Sequence, residues 1–163
     1  MRSLLVDTNA LITFIEKGDE ELGKILSKYD ELVVSPVILG EYRAGISETK
    51  RGRESQAALE QFLEVDSVRE VEMTGKTAVY YSKIFQDLKA KGKPIPTNDI
   101  WIAATALERG LELCSFDDHF SNVAMLQFVK LAGSPPRTVA ASATGAVTAP
   151  PRSVPSASRR PAR

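Results

Sequence analysis

The chain has 163 residues, of which 43% are hydrophobic, enough for one core that buries well over half of the surface its unfolded form exposes. Its formal net charge is zero, but residues 133–163 hold five Arg and no acid, which leaves 16 basic against 21 acidic residues in 1–132; this argues against a bulk electrostatic grip on nucleic acid, while a metal-filled acid cluster with a local basic rim stays compatible with one. A single cysteine, Cys114, excludes a disulfide framework, no stretch reaches the roughly 18 apolar residues of a membrane span, and Asp7 and Asn9 break the first apolar run too early for a secretory signal, so a cytoplasmic protein is expected.

The opening SLLVDT is continuously apolar up to Asp7 rather than alternating, the pattern of a strand covered on both faces and hence of a parallel sheet. Leu11, Ile12, Phe14 and Ile15 recur at helical spacing up to a stop at Gly18. A second helix is predicted over 20–28 with Leu22, Ile25 and Leu26 inward, then a buried strand in ELVVS. Ser35 and Pro36 supply an expected N-cap and first-turn proline for the helix PVILGEYRAGI. Residues 52–64 predict an amphipathic helix with Leu59, Phe62 and Leu63 on its stripe, and VREVEM a strand with one wetter face.

The longest predicted helix runs from Thr74 to about Ala90, carrying Val79, Tyr80, Ile84, Phe85 and Leu88. KAKGKPIPTN reads as a loop, Thr97 or Asn98 as the cap of DIWIAATALERG, LELCSF as a buried strand, DDHFSNV as a short helix, and MLQFVKL as the last apolar run. Strands alternating with helices define an α/β fold with a central, mostly parallel β-sheet flanked by helices. After Leu131 the composition turns to Ala, Ser, Thr, Pro and Arg, too little apolar surface to offset chain entropy, so residues 133–163 are expected to be a disordered tail.

Three acids stand where apolar runs meet helix starts: Asp7, Asp99 and Asp117; a fourth, Glu41, sits in an otherwise apolar helix. In a parallel sheet, ligands bind beyond the carboxyl ends of the strands, and Asp7 and Asp117 fall at two such ends. Acids gathered there repel one another unless a cation neutralises them. Oxygen donors alone favour Mg²⁺ or Mn²⁺ over zinc. His119, beside Phe120, reads as a surface or packing residue rather than a general base.

The segments LLVDTNALI (4–12), SPVILGEYRAG (35–45), NDIWIAATALERG (98–110) and LCSFDDHFSNV (113–123), in this order, make the chain resemble a PIN-domain protein of the VapC toxin type. The resemblance spans residues 1 to about 131 and implies a PIN-like nuclease domain over 1–132. It implies a metal-dependent endoribonuclease, the toxin of a toxin–antitoxin pair, with Asp7, Glu41, Asp99 and Asp117 as catalytic acids. Asp7 and Asp99 would hold the principal Mg²⁺ or Mn²⁺, and Thr8, Asn9 and Ser115 would support the pocket. RNA substrate, a cognate antitoxin and a homodimer are the implied partners, the last through Leu59, Phe62, Tyr80 and Tyr81. Lys89, Lys91, Lys93, Arg43, Arg51 and Arg53 are candidates to steer RNA past an acidic domain. Two rivals are a noncatalytic PIN-like module that binds metal or a partner without cutting RNA, and a phosphatase with an aspartyl nucleophile. The latter needs a second acid where this chain has Asn9.

Overall fold

The first apolar run forms β1 (Ser3–Val6), with Leu4, Leu5 and Val6 fully buried, so both of its faces are covered as the unbroken pattern requires. The computed structural model describes residues 1–47 and 50–133; the expected tail, Gly133 aside, lies outside the described residues. In chain order there follow α1 (Thr8–Lys17), α2 (Glu20–Leu26), β2 (Glu31–Val34), α3 (Pro36–Ser47), α4 (Gly52–Leu63), β3 (Val68–Glu70), α5 (Gly75–Ala90), α6 (Thr97–Arg109), β4 (Glu112–Ser115), a 3-10 turn (Asp118–Asn122) and β5 (Gln127–Lys130). Every described strand pair is parallel, in the order β3-β2-β1-β4-β5.

That order positions the site. The chain winds outward from β1 through β2 to β3, then crosses back by α5 and α6 to add β4 on the other side of β1. The winding therefore reverses between β1 and β4, and a crevice opens there at the carboxyl ends of the strands. Register is set by buried pairs: Leu5 faces Val33 of β2 and Leu113 of β4, and Val6 faces Cys114. Cys114 is fully buried, and burial raises its thiol pKa well above the ordinary value, so it packs as a small apolar residue.

Several local expectations need correction. Gly18 does end α1 in the left-handed conformation, its N–H reaching Phe14 O at 3.2 Å. Asp19, however, caps α2 through Leu22 N, and the helix stops at Leu26 rather than at residue 28. Ser35 does not cap α3 with its hydroxyl. Its Oγ is buried without a hydrogen-bond partner among the described residues, and the helix start rests on Pro36, whose ring presets φ and removes one unpaired donor. Likewise neither Thr97 nor Asn98 caps α6, since both already lie within it.

On α5 the inward stripe is narrower than expected. Thr77, Ile84 and Leu88 are buried, whereas Val79 and Phe85 are exposed, because this helix packs chiefly against α6 alone. The reverse holds on α4: Leu59 is fully buried, and Phe62 lies edge-on to Phe14 with ring centroids 6.1 Å apart. Those two side chains belong to the core and cannot form a dimer surface. Met125, expected in the last apolar run, is exposed with a φ of +64°, and β5 begins two residues later.

Candidate active site

Asp7 follows directly on β1 and occupies the N-cap position of α1, yet its side chain makes no cap bond. Its backbone N–H continues the sheet ladder to Cys114 O at 3.1 Å, which draws the carboxylate in beside the end of β4. There Ser115 Oγ, fully buried, donates to Asp7 Oδ2 at 2.6 Å and accepts from the Asp117 N–H at 2.9 Å. One hydroxyl thus ties the ends of the two strands together. Asp117 in turn caps the 3-10 turn by accepting from the His119 N–H at 3.0 Å.

The other acids arrive on helices. Asp99 lies in the first turn of α6, where an acid is also favoured by the helix dipole. Glu41, on the second turn of α3, accepts from the Thr8 hydroxyl of α1 and, at 2.7 Å, from Asn98 Nδ2 of α6. Three helices therefore meet at this one carboxylate. Asn9, in the first turn of α1, is half-buried, and its carbonyl accepts from Thr13 Oγ1 at 2.8 Å.

Electrostatics register the crowding. Burial, with smaller contributions from the charges of Asp99 and Glu41, pushes Asp7 up to about 7, although the Ser115 hydroxyl and the Thr8 backbone oppose the rise. Burial, then the neighbouring Asp117 and Glu41, pushes Asp99 up to about 6, against the pull of His119. Among the described residues none of these four acids is paired with Lys or Arg. Carboxylate oxygens gathered without a described Lys or Arg partner are donors that a divalent cation takes, so the residues fit one.

Sequence reasoning undervalued two residues. His119, read as packing or surface, brings Nδ1 within 3.0 Å of Asp117 Oδ1 and 3.5 Å of Asp99 Oδ2. Asn98, read as a cap, holds Glu41. The signal for both was position alone, one residue from Asp99 and two from Asp117. Of the steering candidates, Lys91 is paired with Asp87 at 2.6 Å and Arg51 with Glu54 at 2.8 Å, while Lys89 and Lys93 are exposed in and after the last turn of α5. A cavity of about 510 Å³ lined by Tyr80, Ile84, Leu107, Leu111 and Met125 lies at the start of β4, the end of the sheet opposite the acids, and is no part of this site.

Comparison with known proteins agrees with the geometry. The PIN domain family model matches residues 4–126. Ribonuclease VapC2 of Haemophilus influenzae is 30% identical over 119 residues, covering 71% of this chain and 86% of that protein. Ribonuclease VapC2 of Rickettsia felis is 27% identical over 112 residues, 67% of this chain and 82% of that one. The solved structure of VapBC-1 from nontypeable Haemophilus influenzae superposes with a TM-score of 0.70 at 26% identity, covering 78% of this chain and 97% of that chain. The chain belongs to the PIN-domain family, among its VapC-type members.

Proposed function

We propose that this chain is a metal-dependent endoribonuclease that hydrolyses RNA phosphodiester bonds, the toxin of a toxin–antitoxin pair, with the activity in residues 1–132. The observation that carries the reading is the placement of Asp7, Glu41, Asp99 and Asp117 about one switch point of a PIN fold, Asp99 and Asp117 closest together, with none of them paired to Lys or Arg among the described residues. Kinship to proteins named VapC ribonucleases supports the choice of RNA.

Asp7 and Asp99 are assigned as principal ligands of Mg²⁺ or Mn²⁺, with Glu41 and Asp117 completing the acid set. A divalent cation held there would supply charge stabilisation at the phosphoryl oxygens and acidify an attacking water. The chain's own residues prepare the place: Ser115 fixes the orientation of Asp7, Thr8 and Asn98 fix Glu41, and Asn9 shapes the adjoining turn. Lys89 and Lys93, on the approach to Asp99, attract the phosphate backbone.

A cognate antitoxin, whose extended segment or Arg would fill the acid pocket, is the proposed regulator, supported by the likeness to VapBC-1. The proposed homodimer uses α5, where Val79 and Phe85 stand exposed beside half-buried Tyr80 and Tyr81. No described helix is long and apolar enough to cross a membrane, in keeping with the proposed cytoplasmic site of action.

The test is hydrolysis of end-labelled total RNA by the purified chain with Mg²⁺ or Mn²⁺, in the presence and absence of EDTA. Cation-dependent cleavage is expected. Cation binding without turnover on any RNA would replace the nuclease with the noncatalytic module.

A further inference from the structure

The acid cluster contains one side chain of another kind. His119 Nδ1 lies 3.0 Å from Asp117 Oδ1 and 3.5 Å from Asp99 Oδ2, and one ligand atom from each of these three residues falls within 4.8 Å of the others. In an octahedral site with bonds of about 2.1 Å, adjacent ligand atoms stand about 3 Å apart. Without an ion these are His–carboxylate ion-pair contacts, and they leave the three ligand atoms close enough to close on a shared ion.

The ring is held at this place by its own turn. The His119 N–H is bonded to Asp117, the His119 carbonyl accepts from Asn122 Nδ2 at 3.3 Å, and the next residue, Phe120, is buried against Phe128 at 5.9 Å between centroids. The imidazole itself is 48% exposed, so it fills no core space. Asp118, its other neighbour, turns outward to Lys130 at 2.6 Å and takes no part.

We propose that His119 is a nitrogen ligand of the cation site beside Asp99 and Asp117, and that the site therefore selects Mn²⁺ over Mg²⁺. Both ions accept carboxylate oxygens, but Mg²⁺ is the harder cation and gives up water reluctantly, whereas Mn²⁺ stands at the start of the first-row transition series and tolerates an imidazole nitrogen better. As a ligand, Nδ1 offers its lone pair with the proton on Nε2. This inference rests on the reading of the four acids as a metal site, and its test separates the two.

Because the chain contains a single histidine, labelling is unambiguous. Metal-free, untagged full-length protein is titrated with Mn²⁺, alone and against Mg²⁺, and the bound ion is examined by pulsed electron paramagnetic resonance. The expected result is a nitrogen modulation that changes from ¹⁴N to ¹⁵N when the protein is grown on ¹⁵N-histidine. His119→Ala should abolish it, weakening Mn²⁺ by roughly tenfold or more while Mg²⁺ changes far less. Bound Mn²⁺ without nitrogen modulation in the unmodified protein overturns the proposal, whether or not the variant folds, and so does an unchanged Mn²⁺/Mg²⁺ ratio in folded His119→Ala. If folded protein binds no Mn²⁺, or binds it equally well as Asp99→Asn, the metal site itself is wrong and both readings fall.

Discussion

Ser115 donates its buried hydroxyl to Asp7 at 2.6 Å across the β1–β4 boundary, and the same oxygen receives the Asp117 N–H. A carboxylate that is otherwise raised by burial thereby keeps one interaction favouring its charged form. Ser115→Ala should cost about 1–3 kcal/mol of stability, since it leaves buried groups unpaired, and should raise the Asp7 pKa further. The acid limb of the pH–rate profile then moves to higher pH. A profile that does not move, measured alongside urea unfolding, would detach Ser115 from the chemistry.

Metal-free protein should lose stability as pH rises from about 4 to about 7. The sign follows from Asp7: its carboxyl, ordinarily near 3.8, titrates at about 7 when folded, so over that window the folded chain holds a proton that the unfolded chain has released. The loss attributable to this group is on the order of 4 kcal/mol at most. Asp7→Asn removes the penalty and should raise the melting temperature at pH 7.5 in EDTA while abolishing turnover. If the variant melts lower than the parent there, burial does not hold the Asp7 pKa up to about 7.

Asn98 is exposed and contributes little to the core, but its amide holds Glu41. Asn98→Ala should leave the melting temperature nearly unchanged and lower kcat by roughly 10- to 100-fold, the cost of a misplaced group in a preorganised site. An unaltered kcat with intact folding would mean that Glu41 needs no such support.

Burial separates two kinds of apolar substitution. Leu59→Ala empties a fully buried position and should destabilise by about 2–5 kcal/mol. Val79→Ser with Phe85→Ser alters exposed positions on α5, so stability should hold while self-association weakens, as read by light scattering over a wide concentration range. A parent that is monomeric throughout that range removes the dimer.

Reversing the charge of Lys89 and Lys93 should raise KM for RNA and flatten its dependence on salt, because fewer counterions are released on binding. Unchanged KM and slope would take this segment out of the substrate path.

The strands were legible because unbroken apolar runs such as Leu4–Val6 have no place except between two covered faces. Where those runs stop is enough to put Asp7 and Asp117 on one edge of a parallel sheet, and that is the edge they occupy. What the sequence hid depends on neighbours. A polar residue at a helix start, such as Asn98, reads equally well as a cap or as a partner for a distant acid. Val79 and Phe85 follow helical spacing, but among the described residues α5 has too little packed against it to bury them. His119 stands two residues past Asp117, and only the turn between them brings its ring back onto the cluster.

The most direct test is the single-turnover cleavage rate of one labelled RNA by the parent chain and by Asp99→Asn, each shown to be folded and free of antitoxin, at saturating Mn²⁺. The account predicts cleavage by the parent, its loss in EDTA, its return on adding Mn²⁺, and a rate at least roughly 100-fold lower for Asp99→Asn. Equal rates for the two proteins, or cleavage that persists in EDTA, would contradict an acid-held cation as the catalyst.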